Sequence, residues 1–154
     1  MRVLKHVIAG RQLHVIEPDA MVLAAARLMT EQKVSSLPVV SGDRLVGILT
    51  ERDLVQRVMA RRVDPDVTPV SEVMSRGLVF AGAEDTYDAA RARMTRDRVR
   101  HLLVVEGSRL LGVVSMRDLL ALDAAEKAEE IELLTAYIHT IPPDLPPLEL
   151  GDVW

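Results

Sequence analysis

The chain contains no cysteine and few aromatics: one Trp, two Tyr and one Phe, or 3% of 154 residues. The first absence removes disulfides, thiol nucleophiles and Cys-ligated zinc or iron–sulfur sites. The second argues against a surface that stacks single-stranded bases, which needs aromatic platforms. An excess of positive charge is also missing. The formal net charge is -4 and the pI is near 5.6, so no dominant polyanion-binding surface is expected. The apolar run from Ala20 to Ala26 is far shorter than the roughly 20 residues of a membrane span. Met1 to Gly10 carries Arg2 and Lys5 but no extended apolar stretch of the signal-peptide kind. The expectation is a soluble, cytoplasmic protein.

What is present is 49% hydrophobic, supplied by Val, Leu, Ile, Ala and Met. That is too apolar for a disordered chain. It suits packed layers of helix and sheet, arranged as one domain or as two small units sharing a core.

The chain repeats itself. Val34-Ser-Ser-Leu-Pro-Val-Val-Ser-Gly-Asp-Arg-Leu-Val-Gly-Ile-Leu-Thr-Glu-Arg-Asp-Leu54 lies without a gap over Val99-Arg-His-Leu-Leu-Val-Val-Glu-Gly-Ser-Arg-Leu-Leu-Gly-Val-Val-Ser-Met-Arg-Asp-Leu119. Extended upstream, the register lays Ala24, Ala25, Met29 and Thr30 on Ala89, Ala90, Met94 and Thr95. Two long copies predict two subdomains related by a pseudo-twofold axis.

Each copy reads as strand, helix, strand, strand, helix, an α/β (α+β) class. Short apolar runs around Val15-Ile16 and Leu78 to Phe80 predict the first strands. Helices follow over about Ala20 to Gln32 and Thr86 to Asp97, with Asp19 and Asp85 as candidate caps. Leu37 to Val40 and Leu45 to Leu49 predict a hairpin through Ser41-Gly42-Asp43. Leu102 to Val105 and Leu110 to Val114 repeat it through Glu106-Gly107-Ser108, with Gly supplying positive φ. The continuous β-branched runs predict strands buried on both faces. Arg61 to Pro69, polar and with two prolines, reads as the linker. The domain boundaries expected are 1–66 for the first copy with its N-terminal segment, 67–121 for the second, and 122–154 for a C-terminal helix and tail. Ala124 to Ile138 predicts that helix, with Ile131, Leu134 and Ile138 as an apolar stripe to be buried on the module or on a dimer mate. Ile141 to Pro147 cannot be helical and is expected as polyproline II or disorder. Trp154 reads as a frayed end.

The polar content of the repeat is Gly47-Ile-Leu-Thr50-Glu-Arg-Asp53 and Gly112-Val-Val-Ser115-Met-Arg-Asp118. A hydroxyl closes a strand and an Asp follows three residues later, in the first helical turn. That spacing makes a capping box. The same geometry serves a ligand: the hydroxyl and free amides of a helix start can meet phosphate, and the Asp can accept from ribose hydroxyls. The two uses are compatible.

This repeated pattern resembles the CBS domain, and Pro69-Val-Ser-Glu-Val-Met74 resembles the segment that introduces the second member of a CBS pair. The resemblance covers about Lys5 to Ala121. It implies a tandem CBS (Bateman) module, here a stand-alone pair, of a kind that binds AMP, ADP, ATP, S-adenosylmethionine or related ligands between its repeats and commonly dimerises into discs. Asp53 and Asp118 match the ribose-binding Asp, Thr50 and Ser115 the hydroxyl beside it, and Ile48 and Val113 the apolar position beside adenine. The family's arrangement implies that Ser115 and Asp118 face His14, Val34 and Ser35, and that Thr50 and Asp53 face Val79, Val99 and Arg100. Arg100 and His101 stand where basic residues often meet phosphate; the first copy has Ser35 and Ser36 there. The clefts should therefore be unequal, with the Thr50/Asp53 cleft and its Arg100 the better phosphate site. Leu103 replaces the usual Pro.

His6, His14, His101 and His139 lack ligand spacing, so no metal site is expected. Arg91, Arg93, Arg96, Arg98 and Arg100 read as a solvated helix face rather than a nucleic-acid surface. No Walker or dinucleotide glycine fingerprint and no nucleophile–base pair stands out, so no catalytic residue is assigned. The expected function is non-catalytic: an adenine nucleotide acts as regulatory ligand, no cofactor is required, and occupancy passes through a homodimer to a protein partner in trans. The alternative is a ligand-independent scaffold that recruits its partner through the C-terminal helix and tail.

Overall fold

A computed structural model describes residues 3–140. They fall in two compact units that divide after Leu119. Within the first, helix α1 (Leu4–Ile8) precedes α2 (Val22–Gln32) and the hairpin β1 (Ser36–Ser41) and β2 (Arg44–Thr50). A short helix α3 (Glu51–Asp53) then continues as a π-helical stretch over Leu54–Met59. The second half repeats this with α4 (Val70–Val73), β3 (Phe80–Gly82), α5 (Tyr87–Asp97), β4 (His101–Glu106) and β5 (Arg109–Ser115). Helix α6 (Met116–Thr140) begins in the first unit and continues into the second. The expected class and the C-terminal helix are both present.

Each hairpin turns on a glycine in the left-handed region, Gly42 and Gly107, both at φ 58°. Both hairpins are antiparallel, with an irregularity after Val39 and after its counterpart Val104. Leu37, Pro38 and Val39 are buried in succession, as are Leu102, Leu103 and Val104, so these strands are covered on both faces as their unbroken apolar runs predict. In the second half β3 adds a parallel strand beside β4, two residues later than expected. In the first half the expected strand at Val15-Ile16 shrinks to one bridge, Ile16 to Val39; Val15 is exposed. A single half-buried apolar residue there cannot hold a longer ladder against solvent.

The helix caps also differ from expectation. α2 starts after Met21 rather than Asp19, with no side-chain cap. Its first free amides go to the linker instead: Val22 donates to Thr68 O and Leu23 to Pro65 O. The linker is thus an ordered cap, tied by Thr68 Oγ1 donating to Asp64 O. In α5 the cap is Thr86, whose hydroxyl accepts from Ala89 N. Asp85 sits one residue too early and accepts from Gly82 N and Arg93.

The two leading helices are exchanged between halves. α4 sits in the core of the first repeat, with Val70, Val73 and Met74 buried among Val22, Ala25, Leu37, Val39 and Leu49. α1 reaches the second: Leu4 donates to Asp85 O and Lys5 to Ala83 O, and Ile8 packs on Gly112. Gly47 and Gly112 permit this crossing. A Cβ on Gly112 would lie 3.2 Å from Ile8, and one on Gly47 would collide with the Met74 sulfur and lie 3.1 Å from Ser75 O.

The Ala124–Ile138 segment is part of α6 rather than a separate helix. Within the single chain Ile131 and Leu134 are exposed, at 64% and 56%; the Ile138 side chain, the Pro-rich segment and Trp154 lie outside what is described.

Gly47→Ala should lower stability by about 1–3 kcal/mol, because Met74 must move and the Ser75 backbone blocks relaxation. Urea denaturation checks this, and an unchanged midpoint would mean α4 does not depend on the close approach.

Candidate functional site

Two clefts flank the pseudo-twofold relation, each built on one hydroxyl–Asp box. In both, the strand-closing hydroxyl caps the following helix and the Asp returns the bond. Thr50 Oγ1 accepts from Asp53 N at 3.2 Å, and Asp53 Oδ2 accepts from Thr50 N and Oγ1 at 2.9 and 2.8 Å. Ser115 Oγ accepts from Asp118 N at 3.2 Å, and Asp118 Oδ2 accepts from both Ser115 N and Oγ. One carboxylate oxygen of each Asp is therefore committed to the fold, and the other decides what the cleft can do.

The clefts differ at that second oxygen. Asp53 is 5% exposed, and its Oδ1 accepts from Ser75 Oγ at 2.9 Å. Arg57 lies 3.4 Å from the same oxygen and is itself held by Val73 O and Met74 O, both at 2.8 Å. This carboxylate is saturated from within. Asp118 is more open, with its side chain 25% exposed, and its Oδ1 accepts only from Arg11 at 2.6 Å. Burial alone would raise the Asp118 pKa, but the Ser115 hydroxyl and amide and the Arg11 guanidinium outweigh it and hold the carboxyl below its usual range.

The volumes differ in the same sense. The Asp118 cleft measures about 810 Å³ and brings together His14, Val34, Ser35, His101, Val113 and Ser115. The Asp53 cleft measures about 290 Å³ and brings together Ile48, Thr50, Val79, Val99, Arg100 and His101. All thirteen residues singled out from the sequence thus line one cleft or the other, in the pairing expected. Small-molecule sites run from about 300 to 1,000 Å³, so the first is within range and the second at its lower edge.

His101 lines both clefts and joins the halves, with its Nε2 2.8 Å from Ser35 Oγ. Burial, and then the Arg100 charge, push its pKa down to about 4, against the weaker pull of Asp118 and Asp53. Arg52 and Arg117, equivalent positions in the two repeats, line a smaller polar depression of about 160 Å³ with Arg100, His101, Ser35 and Ser115. Helices α2 and α5 each end on a cation in the left-handed conformation, Lys33 and Arg98, and these line the Asp118 and Asp53 clefts respectively.

Sequence reasoning missed Arg11, Ser75, Arg57, Arg52 and Arg117. The last two were visible as an Arg before each repeated Asp. Arg57 was visible too, four residues after Asp53 at ion-pair spacing; Arg11 and Ser75 act from 107 and 22 residues away, and no spacing rule points to them. Among the described residues no group of His, Asp and Glu could hold a metal ion, and no helix is long and apolar enough to cross a membrane.

The CBS domain family matches residues 4–60 and 70–125, so this chain belongs to the CBS family as a pair of such domains. It is 36% identical over 108 residues to the CBS domain-containing protein YhcV of Bacillus subtilis, covering 70% of this chain and 76% of that one. A CBS-domain protein of Burkholderia ambifaria MC40-6, assigned to signal transduction, superposes with a TM-score of 0.76 at 32% identity, covering 81% of this chain and 95% of that one. The CBS domain pair of protein MJ0100, solved in complex with 5-methylthioadenosine and S-adenosyl-L-methionine, shares the fold at a TM-score of 0.73 and 21% identity, over 82% of this chain and 98% of that one.

The His101 environment predicts a pH dependence. Below about pH 6.5 an unfolded His takes a proton that folded His101 refuses until about 4. Stability should therefore fall as pH drops through that window, by up to about 3 kcal/mol. The Asp118 contribution fails only at still lower pH, below the ordinary carboxylate pKa. Urea titrations from pH 7 to 4 should show the slope in the wild type and a flatter one in His101→Gln; parallel slopes would contradict it.

Proposed function

We propose that this chain is a non-catalytic regulatory module that binds an adenosyl ligand in the Asp118 cleft. The observation that carries the reading is the state of the carboxylates. Asp118 Oδ1 lies at a cleft of about 810 Å³ and is held only by the half-exposed Arg11, whereas Asp53 Oδ1 is bonded to Ser75 and lies 3.4 Å from Arg57. A ribose offers two adjacent hydroxyl donors, which suits one exposed carboxylate oxygen beside a serine. With so few aromatics in the chain, adenine rests on aliphatic walls, Val34 and Val113. Lys33 and Arg117 line this cleft and supply positive potential for phosphate. Judged by Arg100 alone the Asp53 cleft ranks first; its small volume and saturated carboxylate reverse that order. The ligands of the MJ0100 pair support the same chemical class.

Occupancy acts by differential affinity for two conformations. The output is a homodimer whose arrangement or partner affinity changes, in a cytoplasmic setting. Val55 and Met59 on the π-helical stretch, 60% and 74% exposed, support self-association there. A scaffold reading draws on the exposed Ile131, Leu133 and Leu134 of α6, and survives if no adenosyl ligand binds.

Calorimetry with AMP, ATP and S-adenosylmethionine tests the proposal. Asp118→Ala should weaken binding about tenfold or more, and Asp53→Ala by less than about twofold. Absence of heat from the wild type, or the reverse order of the two variants, would overturn it.

A further inference from the structure

Arg11 lies in the loop between α1 and α2 and belongs to neither repeated motif. It nonetheless donates to Asp118 Oδ1 at 2.6 Å, the one oxygen of that carboxylate left over by the capping box. Two ribose hydroxyls donating to Oδ1 would fill both of its acceptor positions, so a ribose held that way must take the place of the Arg11 guanidinium.

The twin cleft shows why the position is open to Arg11. α4 donates from Val70 and Ser71 to Ala20 O and Pro18 O, as α1 donates from Leu4 and Lys5 to Asp85 O and Ala83 O. Leu4 thus corresponds to Val70 and Lys5 to Ser71, which lays Ala9 on Ser75. Ser75 carries the hydroxyl that closes Asp53. Ala9 has none, and Asp118 stays available. Arg11 is rooted but not buried. Its backbone N–H donates to Ile8 O at 3.1 Å, Gly10 before it turns at φ 72°, and its side chain is 49% exposed. The tip can leave without disturbing the core.

We propose that Arg11 is a latch on the ligand cleft that selects for phosphorylated adenosine. It holds the Asp118 oxygen that a ribose would use. A neutral adenosyl compound must break that charge-assisted contact and leaves the guanidinium unpartnered. A nucleotide breaks the same contact but offers its phosphate to the released arginine, in a cleft that already holds Lys33 and Arg117. The latch thus sets the preference of the cleft between a nucleoside and its nucleotide. It rests on the reading of Asp118 as the ribose acceptor.

Calorimetry of the full chain with adenosine and with AMP tests it, using wild type, Arg11→Ala and Arg11→Gln. Removing the latch should strengthen adenosine binding about three- to fivefold, the scale of a half-exposed ion pair. AMP should lose affinity in the same variants, so the preference for AMP shrinks about tenfold. Arg11→Gln, which keeps length and polarity, should match Arg11→Ala. Adenosine binding gained only in the variants would also support the latch. Unchanged adenosine affinity, or an equal loss for both ligands, overturns the latch and leaves the adenosyl reading standing. No heat from any protein with either ligand overturns both.

Discussion

The exchange of the two leading helices is the constraint on which the rest of this architecture depends. α1 comes before the first repeat but is bonded to the second, and α4 comes before the second but is buried in the first. Neither repeat completes its core without a segment delivered by the other. The exchange works because Gly47 and Gly112 leave no Cβ where Met74 and Ile8 cross the strands. It also brings Ser75 and Arg11 to the carboxylates of the opposite motifs, so the device that joins the halves also sets the chemistry of the clefts.

The difference between the two clefts rests on four carboxylate oxygens. A capping box uses one oxygen of each Asp as a matter of helix termination. Asp53 loses its second to Ser75 and Arg57 and becomes a buried structural group. Asp118 lends its second to an exposed arginine. The repeated motif is the same in both halves, and the difference comes from residues outside it. A polar group saturated in the interior is costly to open, whereas one held by a solvent-facing partner can be exchanged for a ligand.

Much of this was legible in the sequence. The gapless repeat located both hairpins, both glycine turns and the two hydroxyl–Asp boxes, because strand burial and capping are local and leave local patterns. The thirteen candidate residues fall into two clefts for the same reason, since a repeated motif brings its pairing with it. What was not legible depends on distant partners. Asp19 was a reasonable cap until the linker carbonyls of Pro65 and Thr68 took the amides of α2. Ile16 kept one bridge because solvent on Val15 left no second anchor. Arg100 lines the smaller cleft, and the Ser75 bond that closes Asp53 spans 22 residues and leaves no local signature.

The proposed ligand cleft is that of Asp118, not its twin. A crystal structure of the full chain with AMP tests it most directly. Nucleotide density should appear with its ribose on Asp118 Oδ1, Arg11 turned away from that oxygen, and Ser75 still bonded to Asp53. Density in the Asp53 cleft with Ser75 displaced, and an Asp118 cleft still latched by Arg11, would contradict it.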